Sequence, residues 1–531
     1  MMRRNLRAVG SLLVALVILA PLALPARGTA AVPAREADAF VESIGVNVHA
    51  ANGGTPYRER FDEVEQRLQE LGVNHVRDDL ASDSPAQYEE LSDLAGLGIR
   101  STVILGDPTS GTAVLDELIE TLKTDLAGAV EAVEGPNEFS TSGDVEWKSD
   151  LIAYQQQLYD DVKGDPALSS LPVIGPSIVH GDQNELGDIS GMLDYGNIHS
   201  YPQGNPPDKL GSFITNAKLN SGSKPIFATE TGYHTALNWT GENKPISEAA
   251  MATYMPRLFF EYFRWGIVRT YSYELVDELP DPNLENKEWN FGLLRNDLSR
   301  KPAFEALRNT IAILEDPGAA FTPGSLSYRL SDRGTELPGA EGTELHKVLL
   351  QKRDGSFYLA IWRLSSVWDP AAQQPLVAPS EPVTVNVEPG LGVTAEYLPN
   401  LSSEPVLAPS QPGESLTFDV GPQVVILKIV PAEGDSSSPP PAPPPPPPPP
   451  AQPEATVPAQ LDQDTPAAPT PCVVPELRGK RLTAGRVKLK RTACRLGRII
   501  GARARSSRVV KQHPRPGRVL APGSSVRVKL G

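Results

Sequence analysis

The sequence predicts an α/β protein whose main domain is a (β/α)8 barrel, followed by a small antiparallel β-sandwich, a proline-rich linker and a small basic α+β domain. Three observations predict it. From about Ser43 to Glu315, short β-rich runs alternate with amphipathic helical stretches, the order that parallel strands joined by crossover helices produce. After Asp316 the apolar residues alternate instead, as in the run Val383-Thr-Val-Asn-Val. The 53 prolines are too many for packed elements, and many gather between Asp435 and Thr470. A length of 531 residues suits several domains. We divide the chain into a signal peptide (1–31), a barrel (40–316), a sandwich (318–432), a linker (435–470) and the basic domain (471–531).

The start carries Arg3, Arg4 and Arg7, then an apolar run from Leu12 to Leu24 and small residues around Ala30. This order reads as a secretory signal peptide; the run is short for a membrane anchor, which needs about 20 residues. No later stretch is apolar enough to span a membrane, so the mature chain is expected to be released or held at the cell wall. Eight strands are expected: Ile44 to His49, Val73 to Asp78, Ile99 to Leu105, Val130 to Glu134, Leu171 to Ser177, Tyr195 to His199, Pro225 to Glu230 and Ile267 to Glu274. Between the first two, Phe61, Val64, Leu68 and Leu71 recur at helical spacing, and Gly72 stands where a helix would end. Ser84-Pro85 places a capping residue before a first-turn proline. Trp147, Leu151, Tyr154 and Leu158 mark a later helix, and Ala303 to Ile313 the last. Eight units in about 270 residues fit a closed barrel better than a doubly wound sheet. Pro439 to Pro450 predicts a polyproline spacer of about 35 Å.

The net charge of −16 hides an asymmetry. The segment from Pro471 carries 17 Lys and Arg against the single acid Glu476, which leaves −32 on the rest. Both cysteines, Cys472 and Cys494, fall in this basic segment. An oxidising exterior would pair them in one disulfide, the alternative being two small buried thiols.

Reactive groups of a (β/α)8 barrel stand at the C-terminal ends of its strands. The fourth run ends in Val133-Glu-Gly-Pro-Asn-Glu-Phe139 and the seventh in Ile226-Phe-Ala-Thr-Glu-Thr-Gly-Tyr233. Cleavage of a glycosidic bond with retention needs two carboxyl groups about 5 Å apart, and Glu138 and Glu230 are the candidates. Asn137-Glu138 closing strand four, with Glu230 closing strand seven, resembles the 4/7 superfamily of retaining glycoside hydrolases, which includes cellulases, mannanases, xylanases and β-xylosidases. Within it the chain is most similar to families 5 and 39.

The resemblance implies that Glu138 is the acid/base, Glu230 the nucleophile, and Asn137 a donor to the sugar 2-hydroxyl. It also implies substrate-binding or supporting roles for Arg77, His199 and Tyr201. The last strand departs from the pattern: a tryptophan is common there, whereas this chain offers Tyr271, Tyr273 and Glu274. Tyr273 and, from the first strand end, His49 are further candidates for sugar contact. The plainer readings are a buried ion pair for Arg77, a satisfied core histidine for His199 or His49, and supporting roles for Glu134, Asp78 and Glu274. The seven histidines form no HExxH and no cysteine–histidine cluster, and no phosphate-binding glycine loop occurs, so neither metal nor cofactor is expected. The expected partner is a polysaccharide or oligosaccharide. A non-catalytic carbohydrate- or wall-binding protein and a transglycosylase on the same scaffold are the alternatives.

In the basic segment, Val474-Pro-Glu-Leu-Arg-Gly and the later Pro514-Arg-Pro-Gly-Arg-Val-Leu-Ala-Pro-Gly-Ser-Ser-Val resemble a PASTA domain, one helix against a three-stranded sheet. The resemblance implies binding to peptidoglycan. The charge also suits another anionic wall polymer. The segment has no aromatic residues to stack on bases, which argues against a dedicated nucleic-acid module.

Overall fold

The structure is a computed structural model that describes residues 31–179, 181–332, 335–336, 345–408, 413–431, 471–480, 488–500, 508–514, 516–520 and 524–530. Apart from Ala31, the expected signal peptide lies outside the described residues, as does the expected linker.

Eight parallel strands form the main sheet: β1 (Ile44–Asn47), β2 (His75–Asp79), β3 (Arg100–Ile104), β4 (Val130–Glu134), β5 (Val173–Ile174), β6 (Gly196–His199), β7 (Ile226–Thr231) and β8 (Thr270–Ser272). Their order is β5-β4-β3-β2-β1-β8-β7-β6. A parallel bridge between Ile174 and Tyr195 joins the two ends. This is the (β/α)8 barrel expected from the alternating pattern. Several strands are shorter than the apolar runs suggested: β5 and β8 hold two and three residues where seven and eight were expected. The surplus residues after these strands, 175–177 and 273–274, continue into the loops that carry the site.

The crossover helices are α1 (Phe61–Leu71), α2 (Pro85–Gly96), α3 (Thr112–Lys123), α4 (Trp147–Gly164), α5 (Gly211–Ser221), α6 (Glu248–Arg264) and α7 (Pro302–Leu314), with a single turn, Gln183–Leu186, after β5. Gly72 ends α1 at φ +86°, a left-handed conformation in which a side chain is strained. Ser84 precedes α2, but its side chain makes no capping bond; its backbone N–H donates to the Tyr88 hydroxyl at 3.1 Å instead. Inside the barrel, Tyr271 packs with Ala132, Ile174 and Phe227, and a Cβ on Gly45 would meet its ring at 2.4 Å. Tyr271 therefore fills the barrel and takes no part in the site.

Two antiparallel sheets follow. The first pairs β9 (Tyr328–Asp332), β12 (Glu381–Val387) and β14 (Ser415–Val420); the second orders β13 (Leu391–Tyr397), β15 (Val425–Pro431), β11 (Phe357–Arg363) and β10 (Leu345–Gln351). The alternation had suggested a sandwich starting near 318, yet its second sheet is completed by Arg35–Glu36, which pairs with Leu350 and Gln351. Val32–Pro33 likewise pairs with Leu326 and Ser325. The chain thus crosses the sandwich before it begins the barrel.

All seven residues of β11 are buried. Phe357, Leu359 and Ile361 face the sandwich interior, whereas Tyr358, Ala360 and Trp362 join the barrel core. The barrel side of this contact is α6, whose residues from Ala250 to Phe263 are all buried. Pro256 inside α6 has no N–H to offer the Ala252 carbonyl, and Asn400 of the sandwich supplies a donor to it at 2.7 Å. Trp362 packs tilted at 31° against Phe260, ring centroids 5.6 Å apart, and its indole N–H donates to buried Glu261 at 2.9 Å.

In the basic segment, Cys472 and Cys494 form a disulfide. A three-stranded sheet of Arg495–Ile500, Ser525–Leu530 and Val509–His513 packs on Val474, Leu477 and Leu489. Arg527 reaches the barrel, pairing with Asp62 and Glu65 of α1 and with Asp93 of α2. Among the described residues no helix is long and apolar enough to cross a membrane.

The shared core predicts that Trp362→Ala, which also removes one of two ring N–H partners of Glu261 and leaves His346 as the other, lowers stability by about 3–5 kcal/mol in urea titration. It should also lower the melting temperature of barrel and sandwich together.

Candidate active site

Strand register assembles the site. Asn47 lies opposite Arg77 across β1 and β2, and His199 lies opposite Glu230 across β6 and β7. These side chains and Glu134, the last residue of β4, turn into the mouth of the barrel.

The buried Arg77 guanidinium is the hub. It donates through Nε and Nη2 to the two oxygens of Glu134 at 2.7 and 2.8 Å. Nη1 donates to Asn47 Oδ1 at 2.9 Å and to Glu230 Oε1 at 2.8 Å, and Nη2 also donates to Asn137 Oδ1 at 2.7 Å. A guanidinium has five N–H donors, and all five are used. Glu134 in turn accepts from Asn197 Nδ2 at 2.9 Å and from the Thr229 hydroxyl at 3.0 Å. It is fully buried and faces the arginine, so it supports the site from beneath.

Glu230 accepts from Arg77 on one oxygen and from the Tyr201 hydroxyl, at 2.7 Å, on the other. Burial alone would raise its pKa, but His199, Arg77 and the Tyr201 hydrogen bond outweigh it and hold the carboxyl down at about 2. Tyr201 moves the opposite way, its ionisation opposed by burial and by the Glu230 charge.

Glu138 differs in every respect. Its backbone takes a left-handed conformation, φ 44° and ψ 33°, and its N–H donates to Ser177 Oγ at 2.9 Å. Such strain in a non-glycine residue clusters at functional sites. Its side chain is 35% exposed against 11% for Glu230. The His199 ring lies between the two carboxylates, with Nδ1 at 2.8 Å from Glu138 and 3.4 Å from Glu230, and its Nε2 meets Thr229 Oγ1 at 3.0 Å. One oxygen of Glu138, one of Glu230 and a ring nitrogen of His199 lie within 4.8 Å of one another. A buried carboxylate held ionised through the neutral range thus faces a more exposed carboxyl, with one oxygen of each within 4.8 Å of the other.

The structure brings Arg77, Asn137, Glu138, His199, Tyr201 and Glu230 together. Tyr273 borders them, its ring 6.4 Å from Tyr201 and 5.2 Å from Phe291. His49 stands behind Tyr273 at 5.5 Å, and burial lowers its pKa to about 4. Asp78 points out of the barrel, accepting from the Ala50 N–H at 3.2 Å and from Gln87 at 2.9 Å. The Tyr273–Glu274 peptide bond is cis. Sequence reasoning missed Asn47, Asn197, Thr229 and Ser177. The signal for Asn47, Asn197 and Thr229 was there, a polar residue inside an otherwise apolar strand; Ser177 had none.

No family model and no curated protein matches the sequence. Solved structures with a similar fold include a family 39 glycoside hydrolase from Bacteroides cellulosilyticus WH2, with TM-score 0.51, 16% identity, and coverage of 75% of this chain and 82% of that one. A glucosidase from Croceicoccus marinus aligns with TM-score 0.52 and 12% identity over 76% of this chain and 97% of that one. The family 39 enzyme from Xanthomonas axonopodis pv. citri aligns with TM-score 0.50 and 14% identity over 76% and 96%. At these identities the likeness establishes a shared fold.

The depressed Glu230 pKa has a definite sign. Its folded value of about 2 lies below the ordinary 4.5, so the stability it contributes is complete above about pH 4.5 and lost as pH falls towards 2. In Arg77→Gln the Glu230 carboxyl, followed by carbon-13 NMR, should titrate at higher pH. The same variant leaves Glu134 buried without its cation and should be less stable by about 3–5 kcal/mol. An unchanged Glu230 titration would show that His199 and Tyr201 hold the charge without the arginine.

Proposed function

We propose that the protein is a retaining glycoside hydrolase that cleaves O-glycosidic bonds of a polysaccharide or oligosaccharide in two displacement steps. The observation that carries this reading is the approach of Glu138 and Glu230 to within 4.8 Å, the separation of a retaining pair and too short for an inverting one. In the first step Glu138 protonates the departing glycosidic oxygen while Glu230 attacks the anomeric carbon, forming a glycosyl ester. In the second, Glu138 takes a proton from water as that water displaces Glu230. Ionisation through the neutral range suits Glu230 to attack, and exposure suits Glu138 to exchange its proton with solvent between steps. Asn137 gives its side-chain oxygen to Arg77, which leaves its N–H2 for a sugar hydroxyl. The fold likeness to family 39 enzymes and a glucosidase supports the same class of reaction.

We also propose that the chain is exported and held at the cell wall by its basic domain. The basic, apolar and small segments in order at the start support export. The charge and the PASTA-like turns of the last 61 residues support binding to peptidoglycan or another anionic wall polymer.

Glu138→Ala should lower kcat/KM on substrates with poor leaving groups by roughly 10²- to 10⁴-fold and spare it on those with good ones, whose kcat, now limited by the second step, should recover with azide, a nucleophile that needs no base. Glu230→Ala should abolish hydrolysis, and proton NMR of the first product should show the anomeric configuration of the substrate. Equal, mild losses in the two variants would instead indicate a carbohydrate-binding protein.

A chain ending at Pro431 should keep its activity on soluble substrate and lose sedimentation with purified sacculi. Equal sedimentation of the two forms would exclude the anchoring role.

A further inference from the structure

Behind Tyr273, at the same end of the barrel, three side chains of metal-ligating type converge. His49 follows β1, Glu274 follows β8, and Glu278 lies four residues further on. One imidazole nitrogen and one oxygen from each carboxylate lie within 4.8 Å of one another. His49 Nε2 stands 3.6 Å from Glu274 Oε2, too far for a hydrogen bond. Neither that nitrogen nor Glu274 Oε1 has a hydrogen-bond partner. Glu274 is fully buried, and its Oε2 accepts from the Tyr57 hydroxyl at 2.9 Å. Buried polar atoms left unpaired are costly and call for an explanation.

The charges converge on the same place. The acidic side chains of Glu278, Asp277 and Glu288 gather around Glu274. Asp277 is answered by Lys301 at 2.9 Å and Glu288 by Lys287 at 3.0 Å. Glu278 accepts from Asn52 at 2.8 Å. Among the described residues neither Glu274 nor Glu278 pairs with a lysine or arginine.

We propose that His49, Glu274 and Glu278 bind one divalent transition-metal ion. An imidazole with two carboxylates suits zinc or manganese. Ligand atoms at roughly 2.0–2.2 Å from one ion stand about 3–4.4 Å apart, so small side-chain rotations close the cluster on it. The ion offsets the two unanswered carboxylates and partners the unpaired His49 nitrogen. It also ties the end of β1 to the end of β8, which are neighbouring strands, β8 pairing in turn with the strand that carries Glu230. This site is independent of the glycosidase reading.

The test uses the full chain, stripped with EDTA and then titrated with zinc chloride. After gel filtration, the wild type should retain one zinc per chain. Retention should fall at least tenfold in both His49→Ala and Glu278→Gln, the latter an isostere at a half-buried position whose fold circular dichroism verifies. Glu138, His199 and Glu230 also lie within 4.8 Å of one another. Glu138→Gln therefore serves as the control and should keep its zinc. Cobalt in place of zinc should give a visible absorption band that His49→Ala abolishes. Absence of bound zinc from the wild type, wild-type retention in either His49→Ala or Glu278→Gln, or loss in Glu138→Gln would overturn the proposal. In the first two cases His49 and Glu274 are a buried polar pair with no ion between them.

Discussion

Arg77 is the constraint around which the barrel mouth is arranged. A guanidinium taken out of water is tolerated only when its donors are met and its charge is answered, and a buried pair missing one partner is strongly destabilised. Here five donors meet five acceptors drawn from β1, β7, the end of β4 and the loop after it. Each acceptor is thereby held in place. Glu134 closes the charge balance from below, which frees Glu230 to keep its own charge at the surface of the cleft.

The difference between the two candidate carboxyls follows from that arrangement. Glu230 is fixed on a strand, buried, and held by Arg77 and Tyr201. Glu138 sits past the strand end on a left-handed turn, outside the reach of the guanidinium. His199 touches both and, through Thr229, is tied to the Glu134 network. Two chemically identical side chains a few ångströms apart thus acquire different environments from backbone position, which is how one fold can supply both a nucleophile and an acid.

The sandwich has a mechanical part in this. β11 is shared between two cores, and α6, directly after the loop that follows β7, is buried along nearly its full length against it. The Pro256 gap in the helix is met by Asn400, and Asn309 of α7 donates to the Pro399 carbonyl at 2.8 Å. The helices after β7 and β8 are therefore braced from outside, and the strands that carry Glu230 and Tyr273 inherit that rigidity. Further round the barrel, Arg527 against three carboxylates joins the basic domain to α1 and α2 of the acidic barrel.

The sequence by itself determined the barrel, because a strand period of two alternating with a helical period of 3.6 is a local property of the chain. It also determined which strand ends carry carboxylates, since Glu138 and Glu230 are read from their places in the fourth and seventh units. β4 runs from Val130 to Glu134 as its apolar pattern predicts. Only the tertiary structure decided what surrounds those carboxylates. Asn47, Thr229 and Asn197 stand out only as polar residues in apolar strands, and their partners are defined when closure of the sheet brings β1, β6 and β7 around Arg77. The pattern of β11 likewise cannot show that both faces are covered, because the second cover comes from α6, about 100 residues earlier. His49 and Glu274 lie more than 220 positions apart, and only the pairing of β1 with β8 makes them neighbours. Local periodicity is written in consecutive residues, whereas burial, charge and hydrogen-bond partners depend on contacts between distant ones.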